Sequence, residues 1–116
     1  SLAYSCVMLG ENVEAKAIST ITHSGSTARR IAKFRPRIPI IAFTESDKVR
    51  RQLGLVWGVR PVKIDEIFDT DKSVKLMEEY LKRHGMVDIG DRVIIATGMP
   101  IAKRGRTNMI KVSTIE

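Results

Sequence analysis

Residues 15–44 have the sequence AKAISTITHSGSTARRIAKFRPRIPIIAFT, and this stretch decides the fold. Its first apolar run, residues 15–21, ends at a loop rich in hydroxyl groups, and a second apolar run follows at residues 38–43. Between the two runs, apolar side chains have the spacing of one helix face: Ala28, Ile31, Ala32 and Phe34. Arg35-Pro36 is expected to stop that helix, because proline disfavours helical geometry in the residue before it. The stretch therefore predicts a strand, a helix and a second buried strand.

The rest of the chain continues this alternation. Further helices are predicted over residues 2–12, 47–54 and 69–84. Further strands are predicted over residues 55–64, with a break near Gly58, and over residues 92–97 and 109–115. The inner strands are almost continuously apolar, which is typical of a parallel sheet covered on both faces. The link at residues 98–108 is too short for a clear crossover helix, so we expect the last strand to be antiparallel. The predicted fold is a single three-layer α/β domain over residues 1–116, with a mostly parallel five-stranded sheet and one antiparallel edge strand.

Composition limits the class of protein. Apolar residues make up 43% and charged residues 28% of the 116 residues, as in a globular domain. No apolar run approaches the roughly 20 residues that cross a bilayer, so a membrane protein is not expected. Cys6 is the only cysteine, which excludes an internal disulfide and fits a reducing cytoplasm.

The net charge of +7 suggests an anionic partner. The basic residues are nevertheless spread along the chain, and the aromatic residues do not alternate with a basic stripe as in a single-strand binding surface. We therefore do not expect nucleic acid to be the partner.

The polar loop Thr22-His23-Ser24-Gly25-Ser26-Thr27 is the first candidate site. It lies at the predicted carboxyl end of a strand and the start of a helix, where ligands bind in such sheets and where backbone N–H groups attract anions. The candidate phosphate-binding residues are Thr22, Ser24, Gly25, Ser26 and Thr27. Ordinary helix capping by serine or threonine is the alternative. His23 either contacts the anion or titrates there, or is an exposed loop histidine without a role.

The loop at residues 98–108 is the second candidate, since it also begins at the carboxyl end of a predicted strand. Its basic tip comprises Lys103, Arg104, Gly105 and Arg106, whose cations suit phosphate. Solvated surface charge is the alternative. We find no metal-ligand spacing, no nucleophile with an evident base and no paired carboxylates, so no catalytic or metal-binding residue is predicted. This combination favours binding or regulation over turnover.

Taken in order, these motifs are similar to a known family. The stretches AKAISTITHSGSTARRIAKFRPRIPIIAFTESDKVRRQLGLVWGVRPV, GMVDIGDRVIIATGMP and GRTNMIKV resemble the C-terminal domain of pyruvate kinase over essentially the whole chain. The resemblance implies a glycolytic parent enzyme that transfers phosphate from phosphoenolpyruvate to ADP, with magnesium and potassium as its cofactors. The catalytic groups of that family lie in a separate barrel, so the resemblance implies that this piece alone is inactive.

The resemblance also implies a regulatory role. In the family, this domain binds a phosphorylated effector at the 22–27 loop, with a second loop ahead of Thr107-Asn108 folding over it, and it forms an interface of a homotetramer. Members activated by fructose 1,6-bisphosphate often carry arginine where this chain has Ser73 and a basic residue where it has Ser26. The effector therefore stays open between AMP, a sugar monophosphate and fructose 1,6-bisphosphate, the last with Lys72, Lys75 or the 103–106 tip as replacement cations.

A different class of protein also fits these residues. The chain would then be a stand-alone phosphometabolite-binding protein of the same fold that has no catalytic barrel. The helix predicted to begin almost at Ser1, with no strand ahead of it, instead favours a piece of a longer protein.

Overall fold

The computed structural model describes residues 2–66, 70–97 and 109–116. Its elements in chain order are α1 (Leu2–Asn12), β1 (Ile18–Ile21), α2 (Ser26–Ala32), β2 (Ile40–Thr44), α3 (Asp47–Leu53), β3 (Val59–Lys63), α4 (Thr70–Arg83), β4 (Arg92–Thr97) and β5 (Met109–Thr114). No helix of these described residues is long and apolar enough to cross a membrane.

The five strands form one sheet in the order β3-β2-β1-β4-β5. Strands β1 to β4 are parallel to their neighbours, with Ile18 opposite both Ile40 on β2 and Ile94 on β4. Strand β5 pairs antiparallel with β4 and lies at the edge. The predicted fold class is confirmed. Because the chain moves from β1 to β2 on one side and later returns to β4 on the other, the order of strands reverses between β1 and β4.

The sheet separates two apolar cores. Helix α4 covers one face, where Val74, Met77 and Leu81 pack against buried strand residues. Helices α1, α2 and α3 cover the other face with these side chains: Cys6, Val7, Ala28, Ile31, Ala32, Val49 and Leu53. Because both faces are covered, β1 and β2 are buried at every position.

Several boundaries differ from those predicted from sequence. Helix α2 ends at Ala32, before Arg35-Pro36, and the Arg35 N–H donates to the Ala32 carbonyl oxygen at 3.0 Å in a closing turn with φ +48°. Strand β3 begins at Val59, because Gly58 at φ +75° turns the chain just before it, which is where the sequence predicts a break in the 55–64 strand. The exact end of α2 depends on the conformation of its closing turn, which the spacing of apolar residues does not predict.

Strand β1 also begins later than predicted, at Ile18. The backbone N–H of Ala15 is still bonded to the Gly10 carbonyl at the end of α1, and Glu14 has φ +55°. The residues before Ile18 therefore belong to the turn that leaves α1.

Candidate functional site

The 22–27 loop begins at the carboxyl end of β1, as predicted. The Thr22 N–H donates to the Phe43 carbonyl oxygen of β2 at 2.9 Å, which extends the sheet contact by one residue into the loop. Since β1 lies between β2 and β4, the loop occupies the crevice where the strand order reverses. Open α/β sheets bind ligands at this position.

Thr22 closes the loop from inside. Its side chain is 4% exposed, and its Oγ1 accepts a 2.7 Å hydrogen bond from the Gly25 N–H. This short bond joins the first and fourth residues of the loop into a tight turn. The Thr22 hydroxyl therefore fixes the loop, a role that the sequence did not distinguish from direct ligand contact.

Gly25 is required by both conformation and packing. Its φ of +86° lies in the left-handed region that side chains disfavour. A Cβ atom here would lie 3.1 Å from Leu53 Cδ2 and 3.3 Å from Val49 Cγ1, both on α3. The sequence indicated only close backbone approach; the structure shows that the loop rests directly on α3.

Helix α2 begins without an ordinary cap. Gly25 is its N-cap residue and has no side chain that could accept a capping hydrogen bond. The Ser24 Oγ accepts from the Ser26 N–H at 3.4 Å, which is long for such a bond. Ser24 is exposed and Ser26 half-buried. The N-cap position itself therefore has no side-chain cap, while Thr22 and Ser24 each accept a hydrogen bond from a backbone N–H within the loop.

Arg29 joins the loop to α3 and was missed by sequence reasoning. Its Nη1 donates to the Ser24 carbonyl oxygen at 3.0 Å, and its Nη2 donates to Gln52 Oε1 at 3.4 Å. Arg29 lies four residues after Gly25, and this one-turn spacing could have indicated that it folds back over the loop.

His23 brings a buried polar atom into the loop. The side chain is half-buried, and its Nε2 is enclosed without a hydrogen-bond partner among the described residues. An enclosed imidazole nitrogen without a partner is unfavourable, because the lost hydration is not replaced. His23 is therefore not the solvent-exposed loop residue of the alternative interpretation.

Other predicted residues lie apart from this loop or beyond the described part. Ser73 is on α4 and only 2% exposed, whereas Lys72 and Lys75 are exposed. Lys103, Arg104, Gly105 and Arg106 lie outside the described residues, as does the loop ahead of Thr107-Asn108. In residues 2–66, 70–97 and 109–116, no group of histidine, cysteine and carboxylate residues could hold a metal ion.

Two open grooves flank α4. One of about 590 Å³ lies against β5, and one of about 710 Å³ lies against β3. Residues 22–27 line neither groove. The loop is thus separate from both grooves, and its features are the Gly25 turn, the enclosed His23 Nε2 and the Arg29 contact.

Comparisons with known proteins agree with this architecture. A family model described as pyruvate kinase, alpha/beta domain, matches residues 1–113. A pyruvate kinase of Clostridium acetobutylicum is 43% identical over 105 residues, covering 90% of this chain and 22% of that protein. A pyruvate kinase of Geobacillus stearothermophilus is 40% identical over 104 residues, covering 90% of this chain and 18% of that protein.

A crystal structure of a pyruvate kinase from Cryptosporidium parvum gives a TM-score of 0.87 at 30% identity, covering 98% of this chain and 22% of that chain. This chain thus spans about a fifth of the length of the relatives it matches. With this shared sheet and the match over residues 1–113, the chain belongs to the family of the pyruvate kinase alpha/beta domain.

Proposed function

We propose that this chain is the effector-binding and oligomerisation domain of a pyruvate kinase. The whole protein would convert phosphoenolpyruvate and ADP to pyruvate and ATP, using magnesium and potassium held outside this chain. The family match supports this proposal, together with the share of about a fifth that the chain covers in its relatives. On this proposal, the isolated chain has no catalytic activity.

The proposed effector site is the 22–27 loop. The observation that carries it is the Gly25 turn at the sheet's reversal point, from which α2 begins without a side-chain cap. Backbone N–H groups at such a turn lack helical acceptors and attract anions. Ser24, Ser26 and Thr27 supply hydroxyl groups beside them, Thr22 holds the turn closed, and His23 is a further contact. The basic residues at 103–106 are further proposed contacts because of their charge.

The effector is a phosphorylated small molecule: AMP, a sugar monophosphate or fructose 1,6-bisphosphate. It would act by binding one quaternary state of a homotetramer more tightly than another, since a ligand shifts an equilibrium only through differential affinity. The resemblance implies that bisphosphate-activated relatives often have arginine at the position of the buried Ser73. Binding a monophosphate would therefore need fewer other cations to replace the charge of that arginine.

Thermal unfolding with ligand tests this proposal. AMP, glucose 6-phosphate and fructose 1,6-bisphosphate are each added to the 116-residue chain, and a ligand at 100 times its Kd should stabilise it by about 2.7 kcal/mol. Gly25→Asp and Thr27→Ala should abolish or weaken this shift, while Gly58→Asp, at a positive φ outside the loop, should retain it. No stabilisation of the wild-type chain by any of the three ligands would contradict the effector site.

A further inference from the structure

We infer that Arg29 is a positioning residue for the phosphate held by the 22–27 loop, and that it supplies the positive charge that the loop itself lacks. This inference rests on the proposed function of the loop. None of the residues 22–27 is lysine or arginine. A permanently charged cation beside the phosphate must therefore come from a residue outside 22–27.

The Ser24–Gly25 peptide unit is held at both ends. The Ser24 carbonyl oxygen accepts from Arg29 Nη1 at 3.0 Å, and the Gly25 N–H donates to Thr22 Oγ1 at 2.7 Å. These two hydrogen bonds, at opposite edges of one peptide unit, fix the rotation of that unit. Because the Ser24 carbonyl is turned toward the guanidinium, its negative end is neutralised rather than facing an incoming phosphate.

Arg29 is itself oriented by packing and by α3. Its Nη1 lies 3.1 Å from the place where a Gly25 Cβ would be, so glycine makes room for the guanidinium. Its Nη2 donates to Gln52 Oε1 at 3.4 Å, a long bond that adds a second, weaker contact at the other edge of the planar group. A side chain held at two points loses less freedom when an anion binds.

The charge of Arg29 is not compensated within the described residues. Both of its acceptors, a backbone carbonyl and a side-chain amide, are neutral, and residues 2–66, 70–97 and 109–116 place no carboxylate within ion-pair distance of it. The guanidinium has five N–H donors and never loses its proton at physiological pH, so donors and a full charge remain. A phosphate in the adjacent loop is the counter-charge that fits.

Arg30 offers a matched control. It follows Arg29 on the same helix and carries the same charge, but it is exposed, and the bonds to Ser24 and Gln52 are made by Arg29. The variants Arg29→Gln and Arg30→Gln therefore make the same change in net charge, and only the first removes the contact with the loop. Arg29→Lys retains the charge but cannot donate to Ser24 and Gln52 in the fork geometry.

Titration calorimetry with fructose 1,6-bisphosphate and with AMP, at 50 mM and 200 mM salt, tests the inference. Circular dichroism shows whether each variant is folded. We expect Arg29→Gln to weaken binding about tenfold, Arg30→Gln less than about twofold, and Arg29→Lys by an intermediate factor. Arg29→Gln should also reduce the salt dependence of binding.

The outcomes separate this inference from the proposed function. If the wild-type chain binds neither ligand, the effector site itself is wrong. If the wild type binds while Arg29→Gln and Arg30→Gln weaken binding equally, only net charge matters and the role of Arg29 is overturned. If Arg29→Gln is unfolded, Arg29→Lys decides: affinity equal to that of the wild type would contradict the positioning role, and a clear loss would support it.

Discussion

At the scale of single residues, both backbone conformation and packing favour glycine at position 25. Its backbone is left-handed, and the space where a side chain would begin is filled by α3 and by the Arg29 guanidinium. Gly58 has a similar φ of +75° but open space around it. The two glycines therefore separate the effect of conformation from that of packing.

Gly25→Ala should destabilise the chain more than Gly58→Ala. Left-handed geometry costs alanine about 1–2 kcal/mol at either position, and overpacking adds about 1–3 kcal/mol at Gly25 alone, where Leu53 and Val49 must move. Urea unfolding of both variants measures the difference. Equal losses of unfolding free energy would show that α3 adjusts freely and that the loop is not packed against it.

At the scale of elements, α2 and α3 begin in different ways although both have 7 residues. Helix α3 has an ordinary cap, because Ser46 Oγ accepts from the Val49 N–H at 3.2 Å and Asp47 places a carboxylate in the first turn. Helix α2 has neither a side-chain cap nor an acidic residue in its first turn. This difference supports the proposal that the start of α2, rather than that of α3, binds an anion.

Ser46→Ala should lower the free energy of unfolding by about 1 kcal/mol, because the Val49 N–H loses its acceptor. Ser26→Ala, the matched change at the start of α2, should stay within about 0.5 kcal/mol of the wild type, since no capping bond is lost there. Chemical denaturation without phosphate measures both. A loss at Ser26 as large as that at Ser46 would show that α2 is capped by its own side chain after all.

At the scale of the whole molecule, the core on one side of the sheet encloses a thiol whose burial the sequence alone does not show. Cys6 on α1 is 1% exposed among the side chains that join α1, α2 and α3 to the sheet. This burial raises the pKa of its thiol from 9.0 to about 11, because the thiolate loses hydration. Reaching this thiol requires α1 to separate from the sheet.

The buried thiol makes stability depend on alkaline pH. Between about pH 9 and 11 the unfolded chain releases the Cys6 proton and the folded chain retains it, so stability falls as pH rises, by at most about 1.4 kcal/mol per pH unit. Below pH 9 this contribution is constant. Urea unfolding of the wild type and of Cys6→Ala from pH 7 to 11 isolates the effect, since other groups titrate in both. The stability difference between them should shrink above pH 9; a constant difference would contradict it.

The sequence by itself determined the layered α/β fold and the position of the loop. Periods of apolar residues report which faces of helices and strands are buried, and the nearly continuous apolar runs of β2 and β4 required cover on both faces. The short link before β5 was enough to predict the antiparallel edge. Since ligands bind at carboxyl ends of strands, the 22–27 loop followed from the position of β1.

Only the tertiary structure decided what each loop residue does. Thr22, Ser24 and Ser26 look alike in the sequence, yet Thr22 is an internal acceptor while Ser24 is exposed. The contact of Gly25 with Leu53 and the link from Arg29 to Gln52 join residues that are distant along the chain. Hydrophobic periodicity records burial but carries no information about which polar atoms meet across elements, because that depends on how α2 and α3 pack together on the sheet.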